Sequence, residues 1–112
     1  MSSELKQLVS EAIGDLKGQD VRTLDVSCLS DVMDTLMIVS GTSNRHVKSL
    51  ADNVIDAGKK QGIRPIGVEG MEAGDWVLVD YGNVVVHVML PPTRLFYDLE
   101  KLWAPLDKST GV

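Results

Sequence analysis

Residues 76–90 read WVLVDYGNVVVHVML, and how this segment folds decides the architecture. Two valine-rich runs meet at Gly82-Asn83, a pair suited to a two-residue primed hairpin turn. In that register Tyr81 pairs with Val84, Asp80 with Val85 and Leu78 with His87. One face of the hairpin then carries Val77, Val79, Tyr81, Val84, Val86 and Val88, a core-like set. The other carries Trp76, Leu78, Asp80, Val85, His87 and Met89. That second set mixes aromatic, acidic and imidazole groups, as interaction surfaces do. A three-residue turn would scramble the segregation, which favours the Gly-Asn register.

Elements on either side follow from periodicity. Leu5, Leu8, Val9, Ala12, Ile13 and Leu16 have helical spacing, so the first seventeen residues read as an amphipathic helix capped by Ser2 or Ser3 and ended by Gly18. Leu24-Asp25-Val26 reads as a short strand and Leu36–Ser40 as a buried one. Gly41-Thr42-Ser43 turns into a second helix with Val47, Leu50, Ala51, Val54 and Ile55 on its buried stripe, stopped by Gly62. Pro65–Glu69 is a third strand at an edge. Pro91-Pro92-Thr93 starts a last helix with Leu95, Leu99 and Leu102 along one side, and Phe96 widening that buried stripe. The expectation is a single α/β domain, a mixed five-stranded sheet with flanking helices, over 1–104, followed by a C-terminal tail over 105–112.

Composition narrows the function. The chain has 112 residues, 44% hydrophobic and 24% charged, as soluble globular domains do. Its two Trp, two Tyr and one Phe leave a mostly aliphatic core. Eleven Lys and Arg against sixteen Asp and Glu give a net charge of −5, which argues against affinity won by neutralising phosphates. Cys28, the one cysteine, cannot form an internal disulfide, and the longest apolar run is too short to span a bilayer. With no signal-peptide pattern at the N-terminus, a cytoplasmic protein is expected, with no membrane partner.

Few residues suggest chemistry. Gly41–His46 sits where a strand hands over to a helix, and its backbone N–H groups could hold an anion with help from Arg45 and His46. Ser43 as a plain N-cap is the favoured reading. The segment is faintly similar to the Gly-Ser start of nucleotidyltransferase sites, but those need an Asp-x-Asp pair, and none occurs in this chain. No metal-ligand spacing links His46, His87 and Cys28, so neither metal nor cofactor is expected. Between Arg64 and Arg94 there is no Lys or Arg, while Glu69, Glu72, Asp75 and Asp80 fall inside that gap. A solvated face explains most charge runs. This one flanks Trp76 and the mixed hairpin face, as a surface for a basic protein would.

Several segments together match one family: Asp20 with Leu24-Asp25-Val26; Gly41-Thr42-Ser43-x-Arg45-His46-Val47; Val68-Glu69-Gly70; both hairpin strands; and Arg94-x-x-Tyr97-x-Leu99-Glu100-x-Leu102-Trp103. Each is weak alone, but their order along nearly the whole chain is specific. The sequence resembles the ribosome silencing factors, or Iojap-like proteins. That resemblance implies a nucleotidyltransferase-like fold without the catalytic acids, and a non-enzymatic protein. It also implies binding to the large ribosomal subunit through large-subunit ribosomal protein number fourteen, which blocks joining of the small subunit and represses translation. One departure is Pro91-Pro92, where relatives often carry acidic or polar residues.

The expected partner-binding residues are Trp76 as anchor, with Asp75, Asp80, His87, Met89 and Tyr97 around it. Direct nucleic-acid contact is not expected to dominate. Two other readings compete. One is a small nucleotide-binding or nucleotidyl-transferring enzyme using Gly41–His46, against which the missing paired carboxylates speak. The other is a homodimer joined through the mixed hairpin face.

Overall fold

The hairpin forms in the expected register. In the computed structural model, which describes residues 2–27 and 33–103, Asp80 pairs with Val85, Leu78 with His87 and Trp76 with Met89. Tyr81 N–H donates to the Val84 carbonyl at 2.9 Å, and Gly82 takes a positive φ of +89°. Of the two turn residues only Gly82 does so, as a type II′ turn requires.

The elements run α1 (Ser2–Asp15), β1 (Gln19–Asp25), β2 (Thr35–Ser40), α2 (Asn44–Lys60), β3 (Gly67–Glu69), β4 (Trp76–Asp80), β5 (Val84–Met89), α3 (Pro91–Tyr97) and α4 (Leu99–Trp103). The strands form one mixed sheet in the order β1-β2-β5-β4-β3. β2 and β5 pair in parallel, and the other neighbours are antiparallel. All six residues of β2 are buried, since both faces of the sheet are covered there.

Two cores result from the strand alternation. Val77, Val79, Tyr81, Val84, Val86 and Val88 are buried with Met37 and Val39 against α1 and α2, through Val9, Ile13, Val47, Leu50 and Val54. On the opposite face Leu24, Val26, Leu36, Ile38 and Met89 form a smaller core, flanked by Trp76, Val85, Leu99 and Trp103. Ser43 caps α2 by accepting the His46 N–H at 3.0 Å. Asn53 of α2 donates to the Ala12 carbonyl at 2.8 Å, tying the two long helices together.

Five expectations are corrected. α1 ends at Asp15, where Lys17 turns left-handed (φ 58°), and Leu16 is exposed. The first strand is longer than its apolar core, running Gln19–Asp25, because pairing with β2 extends it past the hydrophobic residues. The third strand shrinks to Gly67–Glu69, since Pro65 has no N–H for the ladder. The last helix is two: Asp98 adopts a left-handed conformation (φ 48°) and makes an elbow between α3 and α4. As a result Leu95, Phe96 and Leu102 do not form a buried stripe; Leu95 and Phe96 are each 80% exposed. Pro91 and Pro92 fit the first turn of α3, where their missing N–H costs nothing. Cys28 and the tail from 104 onward lie outside the described residues.

Gly58, in the last turn of α2, offers a test of packing. The Tyr81 hydroxyl donates to the Val54 carbonyl at 3.2 Å, and a Cβ on Gly58 would lie 2.6 Å from that hydroxyl and 2.9 Å from the Ile63 carbonyl. In an exposed helix Gly→Ala stabilises by about 1 kcal/mol. Here Gly58→Ala is expected to destabilise by about 1–3 kcal/mol through overpacking. Urea unfolding should show that cost shrink in a Tyr81→Phe background, where the nearest atom is gone. An additive pair of costs would refute this account of the glycine.

Candidate docking face

The smaller core does not reach the whole of its side of the sheet. Strand pairing places Glu69 beside Leu78, and Asp80 beside Val85, on the same side as Trp76 and His87. α4 packs Leu99 and Trp103 on the smaller core, α3 reaches β4 through Tyr97 on Trp76, and Leu78 and Asp80 of β4 stay partly exposed. Trp76 lies at the border, half-buried against the smaller core.

Trp76 is held on three sides. Its indole Nε1–H donates to His87 Nδ1 at 3.0 Å, a diagonal contact between neighbouring strands on one face of the sheet. The Tyr97 ring packs on it at a centroid distance of 4.7 Å and 47°, and Phe96 meets Tyr97 edge-on at 5.1 Å. Against its backbone, the Gly70–Gly74 loop closes with a bond from Gly74 N–H to the Gly70 carbonyl at 3.0 Å. Gly70 has φ +91°, and a Cβ there would collide with the Trp76 carbonyl oxygen, so only glycine fits.

Because the indole donates to Nδ1, His87 carries its proton on Nε2 and is neutral. Burial pushes its pKa down to about 4, with the Asp80 carboxylate pulling the other way. Asp80 itself accepts the Gly82 N–H at 2.7 Å, bracing the turn.

Of the expected residues, the structure brings together Trp76, His87 and Tyr97, with Asp80 electrostatically coupled to His87. Asp75 follows the loop next to Trp76 and is exposed. Met89 is the exception: it is fully buried and supports the face from within, offering no atom to a partner. Sequence reasoning missed Leu95 and Phe96, whose exposure adds an apolar ridge beside Tyr97, itself 54% exposed. Exposed apolar groups in such concentration mark interaction sites.

The Gly41–His46 segment resolves as a structural clasp. Thr42 N–H donates to His46 Nδ1 at 2.8 Å, and His46 Nε2–H donates to the Leu16 carbonyl at 2.7 Å. The ring thereby joins the end of α1 to the β2–α2 turn. Among the described residues no group of three His, Cys, Asp or Glu is arranged to hold a metal, and no helix is long and apolar enough to cross a membrane. What the open face offers is contact area: an aromatic centre, an aliphatic ridge and acids around them.

This α/β fold also occurs in proteins already known. The family described as "Ribosomal silencing factor during starvation" matches residues 1–111. Ribosomal silencing factor RsfS of Chromobacterium violaceum is 48% identical over 109 residues, covering 97% of this chain and 89% of that one. A crystal structure of a Chromobacterium violaceum protein superimposes with a TM-score of 0.89 at 47% identity, over 91% of this chain and 85% of the other. Mouse "Mitochondrial assembly of ribosomal large subunit protein 1" is 38% identical over 88 residues, 76% of this chain but 39% of that longer protein. The chain belongs to the ribosomal silencing factor family.

His87 makes stability depend on pH. Its folded pKa lies below its unfolded value of about 6.5, so the unfolded state binds more protons between the two, and stability falls as pH drops through that window. From pH 7 to pH 5 the expected loss is about 2 kcal/mol. Urea midpoints of wild type and His87→Gln at both pH values check this, and the variant should lack that component. An equal slope in both would remove His87 as the cause.

Proposed function

We propose that this protein silences translation by binding the large ribosomal subunit through ribosomal protein number fourteen and blocking small-subunit joining, without catalysing a reaction. The observation that carries this reading is the contact of half-buried Trp76 with exposed Tyr97 and Phe96, beside Asp75 and on a sheet face that also carries Glu69 and Asp80. Aromatic residues in contact with one another supply binding energy at low entropic cost, and the acids suit a basic protein better than RNA phosphates. The name of the mouse relative, which refers to the large subunit, points the same way.

The acids and aromatics contribute differently. Trp76 supplies area that leaves water, so its loss should raise the dissociation rate. Asp75 and Asp80 at the rim should act mainly on the association rate and its salt dependence. Occlusion of the joining surface then needs no conformational change in the protein.

Sedimentation with purified large subunits tests the proposal. Wild type should co-sediment and reduce the subunits recovered as joined particles when small subunits are added. Trp76→Ala should weaken binding by about 2 kcal/mol or more, the size of a hot-spot loss. Asp80→Lys should weaken it with an effect that shrinks at high salt. Wild-type binding by both folded variants would sink the assignment of this face.

A further inference from the structure

Arg94 belongs to no part of the docking surface described above. Its side chain is only 12% exposed, yet it sits on α3, a helix of seven residues in which no side chain is fully buried. A helix this short does not persist by its own backbone bonds. Two of its neighbours explain the burial. Arg94 Nη1 donates to the hydroxyl of Ser40, a buried residue of the inner strand β2, at 2.8 Å. Arg94 Nε donates to Glu100 Oε1 at 2.7 Å, across the elbow on α4. Arg22 of β1 adds a longer ion pair to the other Glu100 oxygen at 3.7 Å. Glu100 is correspondingly held below the usual carboxylate range, chiefly by the Arg94 hydrogen bond.

These bonds fix an angle as well as a position. Residues six apart point in different directions on a continuous helix, so Arg94 and Glu100 meet only because Asp98 breaks it. The Asp98 N–H still closes the end of α3 on the Arg94 carbonyl at 2.9 Å. Tyr97 is the residue just before that break, and its ring rests on Trp76. The guanidinium fork therefore sets where α3 ends, and with it where Tyr97 stands.

We propose that Arg94 is a positioning residue for ribosome docking: by joining Ser40 of the sheet to Glu100 across the Asp98 elbow, it holds Tyr97 against Trp76. This inference rests on the docking reading of that face. A fork of two donors at fixed geometry is needed, so lysine is a poor replacement.

A double-mutant cycle on large-subunit binding tests it, using Arg94→Gln, Trp76→Ala and the pair. Arg94→Gln is expected to weaken binding about tenfold in the wild-type background and less than twofold in Trp76→Ala. Arg94→Lys should fall between wild type and Arg94→Gln, and Ser40→Ala should reproduce part of the loss. A second readout does not involve the ribosome. The Trp76 indole N–H resonance, assigned with Trp76→Phe, should move in Arg94→Gln in the direction that Tyr97→Leu moves it. Additive losses in the cycle, or an unmoved indole resonance, overturn the positioning role. So does wild-type binding by Arg94→Gln when Trp76→Ala binds poorly. Wild-type binding by Trp76→Ala instead overturns the docking reading, and the resonance alone then decides whether Arg94 places Tyr97.

Discussion

The register of the β4–β5 hairpin is the constraint on which everything else depends. A slip of one residue would carry either Val77 and Val79 of β4 or Val84, Val86 and Val88 of β5 from the helix-covered face to the other. Burying a valine side chain contributes roughly 1.5–3 kcal/mol, so the three of β5 alone put about 5–9 kcal/mol behind one register. That is comparable to the whole net stability of a small domain. The Gly82 turn and the Asp80 bond to its N–H make the same choice locally. Local and global preferences agree, and β2 can then add in parallel to β5 with all six residues buried.

Fixing that face fixes the other one as its remainder. Trp76, Leu78, Asp80, Val85, His87 and Met89 must point away from α1 and α2, whatever they are for. Alternation does not say which of them stay open. The smaller core decides that: Met89 is buried within it beside Leu99 and Trp103 of α4, while Trp76 stays at its border. A neutral His87 is a consequence of this half-covered position. An imidazolium there would lose both its hydration and the hydrogen bond from Trp76, so burial outweighs the nearby Asp80 charge.

How much of this was legible in the sequence follows from the range of each interaction. The hairpin register, the Ser43 cap and the buried stripe of α2 rest on neighbours within a few positions, and all three are readable from the chain. The family resemblance was legible in the ordered motifs, and the mixed five-stranded sheet with them. Met89 was misplaced because a period of two assigns a face but not its cover. Phe96 and Leu95 were misplaced because no Gly or Pro marks the break at Asp98; Asp tolerates the left-handed region well enough to hide it. One signal was available. Arg94 and Glu100 are oppositely charged and six apart, a spacing that cannot pair on a straight helix.

The exposed ridge then has a physical reason to exist. Leu95, Phe96 and Leu102 stay in water because the elbow turns them away from the sheet, and Arg94 holds the elbow by polar bonds. Packing those side chains inward would bury more apolar area, but it would require a straight helix and leave the Arg94 guanidinium without Glu100. A buried guanidinium without its carboxylate costs about 3–5 kcal/mol, which offsets much of what burying these side chains would recover at about 1.5–3 kcal/mol each. The same ion pair that looks like a local stabiliser thus opposes the collapse of an apolar surface onto its own protein. A surface kept open in this way is available to a partner without any prior rearrangement, which lowers the cost of binding.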